Sequence, residues 1–149
     1  MKLLVAVDGS QEAEAALAYA TDIADATAGS ITLAYAVDPN VYEVRGSEPV
    51  TDLSDADRRL VLEGVENAES RGLNVLDEAS DFAAELGRDV ETKLLHGDPV
   101  VEIADHAEEA GFDAIVVGHR GRSEHEDRLL GSVAKELVER ATVPVTVVR

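Results

Sequence analysis

Apolar residues recur along this chain in two alternating rhythms. Five short runs, at residues 3–7, 31–37, 90–95, 114–117 and 143–148, are continuous or step by two, the period of a strand. Between them, three-or-four spacing marks helices. Ala13, Leu17, Ala20 and Ala24 form the first stripe, with Ser10 placed to cap it and Gly29 to close it. A longer stripe runs through Val61, Val65, Ala68, Gly72, Leu76, Ala79, Ala83 and Leu86 without losing phase. It predicts one long helix ending at Gly87, with Ser54 and Asp57 as a capping box and Gly72 as the point where it can bend. Asp98-Pro99 supplies a cap and a first-turn proline for a third helix. Val133, Ala134, Leu137, Val138 and Ala141 outline a fourth.

Strand and helix in strict alternation predict βαβ units and therefore a parallel sheet. Residues 3–7, 31–37 and 114–117 read as strands covered on both faces. In the third run Val90, Thr92 and Leu94 alternate with Glu91 and Lys93, which suits a sheet edge. Right-handed crossovers make a single-domain, doubly wound, five-stranded α/β fold with strand order 3-2-1-4-5 the natural winding. Its topological switch falls between strands 1 and 4, where a ligand crevice is expected. Asp8 ends strand 1 and Gly118 ends strand 4, so both stand at that crevice.

The segment after strand 4 carries the strongest chemical signal. Gly118-His119-Arg120-Gly121 is followed, nine residues on, by Gly131-Ser132 at the start of the fourth helix. A residue without a β-carbon at a strand's end lets backbone approach a ligand closely and adopt positive φ. The Ser132 hydroxyl can meet a phosphate or cap the first turn, whose amides attract anions. The intervening stretch has no pattern of its own, which inside a compact domain usually means function. Arg120, Arg122 and Arg128 gather there, and guanidinium forks suit phosphate oxygens. The competing reading is that these arginines neutralise Glu124, Glu126 and Asp127 in a solvated loop. Asp8 has a similar alternative, capping the helix that starts near Ser10.

Charge sharpens the picture. The 149 residues carry a net charge of −18, with lysine only at positions 2, 93 and 135. That surface repels nucleic acid and anionic membranes, so neither is expected as a partner. Acids are spread over the chain rather than gathered in a tail, which resembles proteins of salt-in halophiles; a local acidic binding face is the alternative. With 45% hydrophobic but 3% aromatic residues, the core must be aliphatic. No cysteine is present, which removes thiolate metal sites and thiol nucleophiles. The apolar start is too short for a signal sequence and no run is long enough to span a bilayer, so a cytoplasmic location is expected.

Val-Asp-Gly-Ser at residues 7–10, together with the spacing Gly-x2-Gly-x9-Gly-Ser, resembles the universal stress protein family, specifically its ATP-binding branch. The resemblance runs from Lys2 to Val148. It implies an adenine-nucleotide-binding, Rossmann-like domain over residues 1–149. Ala6, Val7 and Asp8 would flank the adenosine, Ala36 would line the adenine slot, and Val117 and Gly118 would touch the nucleoside. Gly121, Arg122, Gly131, Ser132, Val133 and Ala134 would surround the phosphates of ATP, with Mg²⁺ held through those phosphates. Two departures stand out: His119 occupies a position where the family usually has a small residue, and Ala36 and Ala134 are smaller than common alternatives. The family also commonly joins its terminal strands, which implies a homodimer through Val143 to Val148; an edge blunted by Pro144 and Arg149 is the alternative.

No Gly-x4-Gly-Lys-Ser/Thr or Gly-x-Gly-x-x-Gly occurs, so neither a P-loop nor a dinucleotide fingerprint is present. A phosphoacceptor domain would show clustered acids after strand 1, an acceptor Asp after strand 3 and a late Lys; here strand 3 ends in Leu95-His96-Gly97-Asp98-Pro99, where Asp98 reads as a helix cap, and no Lys lies beyond Lys135. His96, His106, His119 and His125 lack metal-ligand spacing, so no metal site is expected; His106, beside acids on a helix, reads as solvated. Nothing places a general base against Ser10, Ser132 or the phosphates, so no catalytic residue is assigned. The leading expectation is a nucleotide-responsive, ATP-binding homodimer in the stress response, not an enzyme beyond weak hydrolysis. Behind it stand a slow ATPase or nucleotidyl-transfer enzyme on the same fold, in which His119 would be the critical residue, and an interaction module with a vestigial nucleotide site.

Overall fold

The structure, a computed structural model, describes residues 1–38, 55–121 and 130–149, with side chains omitted for 55–63 and 65. Nine elements alternate among these residues: β1 (Lys2–Ala6), α1 (Gln11–Thr27), β2 (Ser30–Val37), α2 (Asp55–Glu85), β3 (Glu91–His96), α3 (Pro99–Glu109), β4 (Ala114–Gly118), α4 (Ser132–Arg140) and β5 (Val145–Val148). All five strands are parallel, in the order β3-β2-β1-β4-β5. This is the winding that the alternation predicts.

Side chains alternate across each strand, so every strand feeds two apolar layers. On one face Leu3, Val5, Val7, Leu33 and Val116 pack beneath α1 and α2, against Ala16, Leu17, Ala20, Leu76 and Ala83. On the other, Leu4, Ala34, Ile115 and Val117 meet Ile103 and Ala107 of α3 and Ala134 and Leu137 of α4. The alanine-rich α1 lets that helix lie close to the sheet, the aliphatic solution that so few aromatic residues demand. Burial of Leu3, Leu4, Leu17, Leu33, Ile115 and Leu137 is essentially complete. Each such side chain contributes about 1.5–3 kcal/mol of apolar burial.

Helix ends follow the sequence reading with two adjustments. Ser10 caps α1 by accepting from the Ala13 amide, and Asp98 caps α3 by accepting from Val100 and Val101. The left-handed residue closing α1 is Ala28, at φ 52°, rather than Gly29, whose amide bonds back to Ala24. The long second helix is a single element in which Gly72 lies against Tyr35 and Leu94. Its proposed Ser54–Asp57 capping box and the side chains of Val61 and Val65 lie outside the described residues. Val138, expected on the inner face of α4, is exposed, and so is Thr92 of β3. No helix among the described residues is long and apolar enough to cross a membrane.

Candidate functional site

The chain leaves β1 toward one edge of the sheet and β4 toward the other, so a crevice opens between their carboxyl ends. Val5 pairs with Val116 in parallel register, which sends Ala6 to Asp8 and Val117 to Gly118 out of the sheet side by side. A cavity of about 720 Å³ lies there. Ala6, Val7, Asp8, Ala36, Val117, Gly118, Gly121, Gly131, Ser132, Val133 and Ala134 all line it. Every sequence-assigned site residue within the described residues therefore faces one space. Arg122 lies outside the described residues, as do Arg128 and His125.

Asp8 does not itself cap α1. Its Oδ1 accepts from the Ser10 amide at 2.9 Å and from the Ser10 hydroxyl at 2.5 Å, while Ser10 Oγ accepts from Ala13 N at 3.1 Å. The carboxylate thus fixes the hydroxyl that caps the helix, and it lines the cavity as it does so. Gly9, at φ 84°, makes the turn between them.

Three helices start at this end of the sheet with their caps described, and they differ in one respect. α1 and α3 have side-chain caps; α4 begins at Gly131, which provides no side-chain cap bond. Ser132 is the first helical residue rather than the cap. A helix start without a side-chain cap, facing a cavity, is suited to an anion, because its amides and the helix dipole both favour negative charge. The loop before it is tied at the neck. Gly131 N donates to His119 O at 2.6 Å, and His119 N donates to Val148 O of β5 at 2.8 Å. These bonds fix the two glycine clusters of the motif relative to each other.

Gly118 is needed for a reason that the sequence did not disclose. It does not use the left-handed region; instead, a β-carbon there would come within 2.8 Å of the Glu12 backbone carbonyl. The glycine lets the first turn of α1 sit on the end of β4. Glu12 is consequently close enough to meet Arg120, at 3.8 Å.

Other lining residues were not anticipated. Arg71, Asn74 and Glu78 of α2 form a polar wall with Tyr35 and Val75, and Pro99 and Ile103 come from α3. Spacing of three and four places Arg71, Asn74 and Glu78 on one helix face, which in a sequence reads as a solvated stripe. The walls accordingly combine small apolar surface with acids (Asp8, Asp38, Glu78) and cations (Arg71, Arg120). Such a space accepts a flat heterocycle against alanine and valine and a polyanion against glycine amides.

The three described histidines, His96, His106 and His119, do not gather at the site. His96 bonds Glu69 of α2 at 2.9 Å. His106 is half-buried against Phe112 rather than solvated; burial, then Lys93 and Lys2, hold its pKa below the usual histidine range. His119 is not among the lining residues; its ring meets the Arg120 side chain. No group of three or more metal-ligating side chains forms among the described residues.

Comparison with known proteins gives a consistent result. The model of the universal stress protein family matches residues 1–149. Universal stress protein YxiE of Bacillus subtilis is 32% identical over 148 residues, covering 99% of this chain and 98% of its own length. The structure of universal stress protein UspA from Lactobacillus plantarum is similar at TM-score 0.81 and 25% identity, over 100% of this chain and 97% of that one. A universal stress protein crystallised in complex with cAMP is similar at TM-score 0.70 and 29% identity, over 100% of this chain and 97% of that one.

Proposed function

The chain belongs to the universal stress protein family, and from that premise we propose that it is a stress-response protein whose single domain, residues 1–149, binds ATP in the crevice between β1 and β4. The observation that carries this reading is the α4 start at Gly131, left without a side-chain cap at the wall of a cavity that the rest of the glycine motif also lines. The cAMP-bound relative supports the ligand class, since an adenine, a ribose and a phosphate are common to both nucleotides.

In this reading Ala6, Val7, Asp8, Ala36, Val117 and Gly118 receive the adenosine. Gly121, Arg122, Gly131, Ser132, Val133 and Ala134 surround the phosphates, largely through backbone N–H groups, and Mg²⁺ rides on the phosphates. The protein binds and responds to nucleotide, in the cytoplasm, rather than turning it over. The test is a thermal-shift titration with ATP, AMP and GTP plus Mg²⁺ at high KCl. Ligand at a hundredfold excess over Kd adds about 2.7 kcal/mol of stability. Absence of a shift with all three overturns the proposal.

Two further parts of the proposal have their own measurements. β5 stands at the sheet edge, bonded to β4 on one side and only half-buried. Such an edge invites pairing, and antiparallel addition of a second copy's β5 would make the protein a homodimer. Light scattering in high salt is expected to give twice the chain mass; a monomer mass contradicts the dimer. The charge of −18 is read as adaptation to high salt, which screens self-repulsion. The melting temperature should fall in dilute buffer and recover in molar KCl. A salt-independent value contradicts this reading.

A further inference from the structure

Arg120 lines the phosphate side of the cavity, between Gly118 and Gly121 in the chain, and His119 and Glu12 are among the groups that orient it. Its Nε–H donates to His119 Nε2 at 2.9 Å, and its Nη2 lies 3.8 Å from Glu12 Oε1. We propose that His119 is a positioning residue, which with Glu12 holds Arg120 as the side chain that reads the phosphate tail of the nucleotide. The inference rests on the nucleotide reading above and adds to it a residue that determines how strongly the triphosphate counts.

The geometry of His119 supports this role. An arginine Nε can only donate, so His119 Nε2 must offer its lone pair and the ring proton sits on Nδ1. His119 Nδ1 is buried and has no hydrogen-bond partner among the described residues. A buried ring nitrogen left in this way is costly and calls for a compensating reason; the bond to Arg120 is that reason. The main chain of His119 is clamped on both sides, by Val148 O and by Gly131 N. The ring therefore stands at a set distance from the helix start that would hold the phosphates. Its position is fixed by the same neck that joins the two halves of the glycine motif.

Charge explains why such a support is useful. Glu12 lies in the first turn of α1, against the end of β4, and would repel a phosphate tail if left uncompensated. A guanidinium bridging Glu12 and His119 offsets that carboxylate and presents a planar fork to the cavity. Lysine cannot substitute, because it has no Nε–H within a rigid plane. His119 thereby acts through Arg120 and needs no contact with ligand.

The test compares affinities for ATP and for adenosine, since only the first engages the phosphate wall. Loss of one charge-assisted contact corresponds to about a tenfold weakening. Arg120→Lys and His119→Phe should each weaken ATP about tenfold and leave adenosine unchanged. His119→Gln, whose side-chain oxygen can accept from Arg120 Nε, should recover most of the loss. Combining Arg120→Lys with His119→Phe should cost no more than either alone. Nitrogen NMR of the unaltered protein should show the His119 ring protonated on Nδ1, a signature that Arg120→Lys removes; this reading decides the matter even where His119→Phe fails to fold. Variants that bind with an unmoved ATP-to-adenosine ratio overturn this inference alone. Failure of the unaltered protein to bind either compound overturns the nucleotide reading and this inference together.

Discussion

Gly131→Val is expected to abolish the stabilisation that ATP confers while leaving the protein folded. The backbone at Gly131 has φ −70° and ψ 159°, extended values that any residue can adopt, so valine introduces no backbone strain. Its branched side chain would instead project at the helix start and fill space that the phosphates need. Valine is a poor cap, which costs the fold on the order of 1 kcal/mol at most. The ligand effect at stake is larger, about 2.7 kcal/mol at a hundredfold excess over Kd. Melting curves with and without ATP, alongside circular dichroism, measure both quantities. A variant that keeps the full ATP shift would place the phosphates somewhere other than this helix start.

The second large effect concerns the packing that forms the crevice. Gly118→Ala places a methyl group 2.8 Å from the backbone carbon and oxygen of Glu12. Those atoms belong to the first turn of a helix and cannot rotate away as a side chain would. Either α1 lifts or β4 retreats, and in both cases the close contact of Ala13, Ala16, Leu17 and Ala20 with the sheet is loosened. Overpacking of this kind costs about 1–3 kcal/mol, and we expect the upper part of that range because the obstacle is backbone. For a chain of this size that lowers the melting temperature by roughly 5–10 °C. ATP binding should weaken as well, since the same shift separates Glu12 from Arg120. An unchanged melting temperature would show that the helix is less tightly seated than the structure indicates.

How much of this was legible in the sequence depends on whether a residue's role is local or comes from a distant contact. The strand order followed from alternation and crossover handedness, and the crevice followed from Asp8 and Gly118 ending the two central strands. The caps at Ser10 and Asp98 were readable because each bonds within three residues of itself. Gly118 stands out in the sequence, but its packing reason is hidden there: what it accommodates is Glu12, far away in the chain. Arg71, Asn74 and Glu78 were missed because a polar helix face looks the same whether water or a cavity lies beyond it. His119 was noticed as a departure from the family pattern, yet its bond to Arg120 requires side-chain geometry that spacing does not encode. Ala28 at φ 52° shows the same limit on a small scale: the amides of Ala28 and Gly29 both bond back to Ala24 O, and the left-handed turn they close falls on an alanine rather than on the glycine beside it.

The central claim is that main-chain amides at the ends of β4 and α4, with Arg120 beside them, hold the phosphates of an adenine nucleotide. A crystal structure of the protein grown with excess ATP and Mg²⁺ in molar KCl tests it most directly. The account predicts adenine against Ala36 and Val117, and phosphates on the amides of Gly121, Ser132 and Val133 with Arg120 in contact. A crevice without nucleotide under those conditions, or nucleotide bound on another surface, would contradict it.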